Sequence, residues 1–171
     1  MIKKICSTEI YYDYIDLKVN NQIDKIIESV EFTQGDYSDD NNFYTSGYEF
    51  DDGLDVVNAY RLEEIKKQID FHFRKYTNIQ REYDLESWFT LIENGYKAHV
   101  HDHVGDYSGV YYYHTNGKDG DIFFEHDNQK YSIKPEVGKI ILFPSWLKHG
   151  VQRNTTDFSR VSLAFNIKLK I

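Results

Sequence analysis

Residues 107–128 read YSGVYYYHTNGKDGDIFFEHDN. Two runs dense in Tyr, Phe, Ile and Val flank a short polar stretch, so the local period is extended rather than helical. The stretch NGKDGD, 116–121, has the composition of a hairpin turn. The same texture continues on both sides. ESWFTLIENGYKAHVHDH at 86–103, QKYSIKPE at 129–136, GKIILFPS at 138–145, HGVQRN at 149–154 and RVSLAFNIKLK at 160–170 are short runs separated by Gly, Asn, Asp or Pro. Seven or eight strands in so few residues cannot stay flat and bury their apolar faces. A two-sheet jelly roll, the cupin-like double-stranded β-helix, is the economical solution.

Upstream the pattern is mixed. Residues 1–20 alternate weakly and predict one or two strands. NNQIDKIIESVEF, 20–32, spaces Ile23, Ile26, Ile27 and Val30 as a short amphipathic helix would. Residues 34–53 are polar, and their Asp39-Asp40 and Asp51-Asp52 pairs read as solvated turns, since the spacing of a calcium loop is missing. As a loop this segment could serve as a lid or as a surface for a basic partner. From Leu54 to about Tyr76, Leu62, Ile65, Ile69, Phe73 and Tyr76 predict the longest helix, with His72 at the edge of its apolar stripe. The chain is therefore mainly β with N-terminal helices. We expect a single domain, 1–171, in which 1–84 supports a jelly-roll core at 85–171.

Composition narrows the function. The 171 residues carry 28 acidic against 20 basic side chains, a formal charge of −8, which argues against a general nucleic-acid binder. Cys6 is the only cysteine, so internal disulfides and thiolate metal sites are excluded and a reducing cytoplasm is expected, that of a bacterium or of a phage host. No stretch has the length of a membrane span or the apolar run of a signal peptide.

Chemistry concentrates in a few residues. In KAHVHDHVGDYSG, 97–109, His99, His101 and His103 recur at every second position, which on a strand puts three rings on one face. His149 follows the apolar strand and proline turn of ILFPSWLKHGV and is the natural distant partner. Two or three imidazoles on a jelly roll, with coordination positions left open, suit a non-haem iron oxygenase. Arg160 opens a strand on which Arg160, Ser162 and Ala164 share the face opposite Val161, Leu163 and Phe165. An arginine pointing into a barrel needs a carboxylate partner, which it grips with two parallel hydrogen bonds, and Ser162 can add a hydroxyl.

These residues stand in an order that resembles a known group, the Fe(II)- and 2-oxoglutarate-dependent oxygenases, and within it a small set from marine bacteria and their viruses. The pattern appears as Trp88, His101-Asp102-His103, Ser108-Gly109-Val110-Tyr111-Tyr112 and Gly120, and continues as Pro135 to Gly138, Phe143 to Leu147 with His149 and Val151, and Arg160 to Asn166. It covers about half of the chain. The resemblance implies Fe(II), 2-oxoglutarate as co-substrate and dioxygen. It also implies oxygenation of a substrate coupled to decarboxylation of 2-oxoglutarate to succinate, most simply a hydroxylation. His101, His103 and His149 would be the metal ligands. Arg160 would grip the distal carboxylate of 2-oxoglutarate, with Ser162 and Tyr112 beside it. No separate catalytic side chain is implied.

Position 103 departs from the wider superfamily, which keeps Asp or Glu there. Three alternatives stay open: a site of two histidines only, Asp106 swinging in as the third ligand, or a shifted pair at 99 and 101 in which His99 is more than an outer neighbour. Two rival functions stay open as well. One is a cupin-like protein with a three-His metal site and no 2-oxoglutarate. The other is a non-catalytic jelly-roll binding or virion-associated module. The substrate, whether a small molecule or a protein, and the oligomeric state are not encoded in any motif.

Overall fold

Eight strands carry the chain back and forth between two antiparallel sheets, as the run of short extended segments predicts. The computed structural model describes residues 1–5, 8–34, 44–46 and 55–171. The eight are β5 Tyr83–Ile92, β6 Ala98–His101, β7 Tyr107–His114, β8 Ile122–His126, β9 Gln129–Ile133, β10 Lys139–Pro144, β11 His149–Val151 and β12 Arg160–Leu169. Four further strands, β1 Ile2–Ile5, β2 Thr8–Tyr14, β3 Thr33–Gln34 and β4 Tyr44–Thr45, extend the larger sheet. Its order is β1-β2-β10-β7-β12-β5-β4-β3, and the smaller sheet runs β6-β11-β8-β9. This alternation of strands between facing sheets is the jelly roll.

Each strand's period decides which core it feeds. On β12, Leu163, Phe165 and Ile167 face outward onto the helical layer, whereas Arg160, Ser162, Ala164 and Asn166 face the space between the sheets. The neighbouring strand β5 splits the same way. Phe89 joins the outer core, while Glu86, Trp88, Thr90 and Ile92 line the interior. Strand β10 is buried on both faces, and its sequence KIILFP accordingly has no polar alternation. Ile140 and Leu142 pack under the helices. Ile141 and Phe143 join Tyr112, Phe124 and Leu147 between the sheets. Gly109 is required by this packing, because a Cβ there would strike the Phe165 ring across the ladder.

The helical layer differs from expectation at three points. The helix expected from Leu54 to Tyr76 is two helices, α2 Val56–Ala59 and α3 Glu63–Thr77; Leu54 itself lies outside the described residues. Arg61 breaks them apart at φ +53, with Leu62 N–H on Val57 O at 2.8 Å and Arg61 N–H on Asn58 O at 3.1 Å. That is a Schellman cap with Arg where glycine is usual, so no glycine signals the break. The amphipathic segment 20–32 is a single turn, α1 Asn20–Ile23, between 3-10 turns, although Ile23 and Val30 are buried as their spacing suggests. His72 is fully enclosed rather than at the edge, and its Nδ1 lies 2.7 Å from the Tyr11 hydroxyl.

Two loops also differ. NGKDGD does not close a hairpin: it joins β7 in one sheet to β8 in the other, as a corner. The hairpin is Asp127-Asn128, between β8 and β9, where both residues take positive φ as a tight two-residue turn demands. Within 34–53, Tyr44–Thr45 forms β4 against β5, and the Asp39-Asp40 and Asp51-Asp52 pairs lie outside the described residues, as does Cys6.

Candidate metal centre and its cavity

Pairing of β6 with β11 sets His101 directly opposite His149. His103 arrives differently from the sequence expectation. Strand β6 ends at His101, so the row of three on one strand face does not form. Past the strand end the chain carries His103 back, and its N–H donates to the Ser145 carbonyl at 3.0 Å, in the turn that precedes His149. The three rings then meet, with centroids 4.5 Å apart for 101–149, 4.8 Å for 101–103 and 5.1 Å for 103–149. One nitrogen from each lies within 4.8 Å of the others, a set able to hold a metal ion.

Backbone carbonyls fix which nitrogens are free. His101 Nδ1 lies 2.7 Å from His99 O, and His149 Nδ1 lies 2.9 Å from Leu147 O. A carbonyl only accepts, so each Nδ1 carries the hydrogen and each Nε2 keeps its lone pair. His99 thus contributes its backbone oxygen to the cluster through His101. Asp106 is tied elsewhere, its carboxylate accepting the Leu169 N–H at 2.8 Å, and it is not part of the group.

Burial also keeps two of the rings, His149 and His103, neutral. It pushes His149 down to about 3, helped by His101 and His103 and opposed by the Leu147 carbonyl bond. It likewise pushes His103 down to about 4, with His101 adding to the effect and Asp102 opposing it. Neutral imidazole is the ligating form. Both folded values lie below the ordinary histidine value of about 6.5, so below that pH the unfolded chain binds protons that the folded chain refuses. Stability of the metal-free protein is therefore expected to fall as pH drops from about 7 toward 4. Thermal melts at stepped pH check this, and His149→Ala should flatten the slope.

The triad opens on a cavity of about 330 Å³ between the sheets. Arg160 lies along one wall, only 2 % exposed, with Ser162 and Tyr112 beside it, both as deeply buried. Its Nη1 donates to Gly120 O at 2.5 Å, and its guanidinium carbon sits 5.7 Å from the Tyr112 ring centre. Asp119 is 3.7 Å away but is engaged by Thr115 Oγ1, at 2.8 and 2.7 Å, and by the Asn116 N–H at 2.9 Å. Arg160 Nε and Ser162 Oγ are buried without a hydrogen-bond partner among the described residues. Two unsatisfied buried donors facing one cavity are costly unless a ligand meets them.

Asp119 and Gly120 support Arg160 from behind the cavity wall; Gly120 stands in the motif order, whereas the composition of NGKDGD, read as a turn, concealed Asp119. Gly120 takes φ +100, and a Cβ there would strike the Gln152 carbonyl. Gly120→Ala is therefore expected to cost at least about 2 kcal/mol of stability and to shift the oxygen that anchors Arg160, a change that a denaturant melt reads. His114 stacks on Phe158 at 4.5 Å, outside the triad, and His126 lies 5.6 Å from the exposed Trp146. Trp88 lines the cavity, 5.7 Å from the His103 ring. No helix among the described residues is long and apolar enough to cross a membrane.

Known proteins share this architecture. Residues 124–166, about a quarter of the chain and including His149, Arg160 and Ser162, match the model of a family described as "Putative 2OG-Fe(II) oxygenase". The fold is similar to that of an oxidoreductase of the 2OG-Fe(II) oxygenase family from Burkholderia pseudomallei, with TM-score 0.74 and 14% identity over 93% of this chain and 84% of that one. HygX from Streptomyces hygroscopicus, solved with nickel and 2-oxoglutarate, gives TM-score 0.72 and 9% identity over 96% and 84%. A prolyl-4-hydroxylase from Pseudomonas putida gives 0.66 and 13% over 96% and 95%. No curated protein sequence matches the chain. The family match supports the 2OG-Fe(II) oxygenase superfamily over residues 124–166, and the solved structures share the double-stranded β-helix fold.

Proposed function

We propose that this chain, whose fold and C-terminal signature are those of the 2OG-Fe(II) oxygenases, hydroxylates a C–H bond of its substrate. The balanced reaction consumes the substrate, dioxygen and 2-oxoglutarate, and yields the hydroxylated product, succinate and carbon dioxide. One observation carries the reading: Arg160 Nε and Ser162 Oγ stand unpartnered in the same cavity as the three histidines. A dicarboxylate that reaches from the triad to Arg160 would satisfy both.

In this reading His101, His103 and His149 hold Fe(II) through Nε2 of 101 and 149 and one ring nitrogen of 103. Bound there, the iron supplies dioxygen activation coupled to decarboxylation of 2-oxoglutarate. Arg160 binds the distal carboxylate and Ser162 donates a hydroxyl to it. Tyr112 sets its ring within cation–π range of the guanidinium, 5.7 Å from its carbon. Ile122, Phe143 and Val151 line the same cavity and exclude water from the carboxylate–guanidinium contact, which strengthens it.

A second reading has its own observation. Arg160 already meets Gly120 O and lies near Asp119, so it can be a structural residue in a cupin-like three-His protein that takes no 2-oxoglutarate. Anaerobic thermal melts separate the two. Fe(II) is expected to raise the melting temperature, 2-oxoglutarate to raise it further only when metal is present, and air then to yield succinate. A metal shift with no 2-oxoglutarate shift overturns the oxygenase in favour of the cupin-like protein. No metal shift at all leaves a non-catalytic module.

A further inference from the structure

The cavity has a second end. Pairing of β12 with β5 places Arg160 beside Ile92, Ser162 beside Thr90, Ala164 beside Trp88 and Asn166 beside Glu86. The interior row thus runs from Arg160 to Asn166 over about 20 Å, at ~3.3 Å per residue. Trp88 touches the His103 ring, so the histidines stand level with the middle of the row. Glu86 lies one step farther from Arg160, at the end that a co-substrate held by Arg160 leaves open.

Among the residues that line the cavity, charge at that end has one sign. Glu86 and Asp102 line the cavity with exposed carboxylates, and neither forms an ion pair among the described residues. Arg160, the single Lys or Arg among the lining residues described, is at the opposite end. Glu86 is also held in place. Ser145 and Ser108 hydroxyls lie 2.8 Å apart, Ser108 donates to Asn166 Oδ1 at 2.8 Å, and Asn166 Nδ2 donates to Glu86 Oε2 at 3.4 Å. Ser108, Ser145 and Asn166 are all buried. This chain satisfies the three buried polar side chains and leaves the Glu86 carboxylate at its exposed end. Trp88 lines the same cavity two residues along β5 from Glu86, and its indole offers an aromatic face of the kind a cation prefers.

We propose that the open end recognises a cationic group of the substrate, a protonated amine or a guanidinium, held between Glu86 and Asp102 against Trp88. This rests on the oxygenase reading for where the substrate sits, but its test does not need turnover. Calorimetric titrations use the full chain loaded with Zn(II), with and without 2-oxoglutarate. The probes are cadaverine and agmatine, and the blocked tripeptides Ac-Gly-Lys-Gly-NH2 and Ac-Gly-Arg-Gly-NH2. Ac-Gly-Nle-Gly-NH2 and Ac-Gly-Glu-Gly-NH2 serve as controls.

At least one cationic probe is expected to bind tenfold or more tightly than the norleucine peptide, and the glutamate peptide most weakly. Preference for the peptides identifies a basic residue of a protein as the substrate, and preference for the free amines identifies a small molecule. Glu86→Gln with Asp102→Asn should abolish the preference, with circular dichroism reporting that the variant folds. Equal binding of cationic and neutral probes, absence of binding by all of them, or a preference that survives in the double variant would overturn the proposal. If 2-oxoglutarate fails to bind while the cationic preference stands with Zn(II) alone, the oxygenase reading falls and the cation site remains.

Discussion

Arg160→Ala is expected to weaken 2-oxoglutarate binding by a hundredfold or more while leaving metal affinity within about threefold. The guanidinium offers a planar fork to a carboxylate, and each hydrogen bond to a charged group is worth roughly 1.5–3 kcal/mol. Losing two such bonds therefore exceeds a hundredfold, at about 1.4 kcal/mol per tenfold. Arg160 is not in the histidine group, so the metal should scarcely register the change. Anaerobic titration of the Mn(II)-loaded protein with 2-oxoglutarate measures both quantities.

The alanine variant has a second expected effect. Arg160 is one of the largest fully buried side chains and donates to Gly120 O. Its removal leaves a void and an acceptor without its donor, so stability should fall by roughly 2–5 kcal/mol. Arg160→Lys separates the roles. It keeps a buried cation near Asp119 but loses the fork, so the fold should be largely retained while 2-oxoglutarate affinity still drops at least tenfold. Wild-type affinity in either variant would assign Arg160 to the fold alone and remove the basis of the co-substrate assignment. Ser162→Ala should act in the same direction and more weakly, about fivefold, since one neutral hydroxyl is lost.

How much of this was legible depended on whether local pattern or tertiary placement decided the residue. Strand alternation on β12 showed in advance that Arg160 and Ser162 face away from Leu163 and Phe165, because period 2 leaves no other arrangement. The opposition of His101 and His149 was not written in either segment; it comes from the register of β6 on β11. His103 reached the cluster for a different reason from its spacing. A bond from its backbone to Ser145 places it after the strand has ended. The NGKDGD corner misled because a turn between sheets and a turn within one use the same residue types. Only the sheet assignments of β7 and β8 distinguish them. Arg61 concealed a helix break because a Schellman cap was built without glycine.

The three histidines should not be equal, and their order tests the proposed ligand set. His149→Ala is expected to weaken metal binding by at least a hundredfold. Its ring is 6 % exposed, packs 4.7 Å from Phe143, and is fixed by the Leu147 carbonyl, so the lone pair is pre-aimed. A substitute ligand cannot reach that depth without displacing Phe124 or Phe143, and pre-organisation of this kind is what an outer partner of a ligand is worth ten- to a hundredfold to preserve. His101→Ala should follow closely, since its ring is aimed the same way by His99 O. His103 lies beyond the end of β6, and no backbone carbonyl among the described residues holds its ring in that way; here a water can take the vacated position. His103→Ala should therefore cost less, about tenfold, and His103→Asp should regain most of that loss by offering the carboxylate that the wider superfamily keeps at this position. Competition of each variant with a chelator of known affinity for Mn(II) ranks them. An unchanged affinity in His103→Ala would reduce the site to two histidines. A loss equal to that of His149→Ala, not recovered by Asp, would make the third imidazole indispensable and its ring geometry, rather than its charge, the property that this placement preserves.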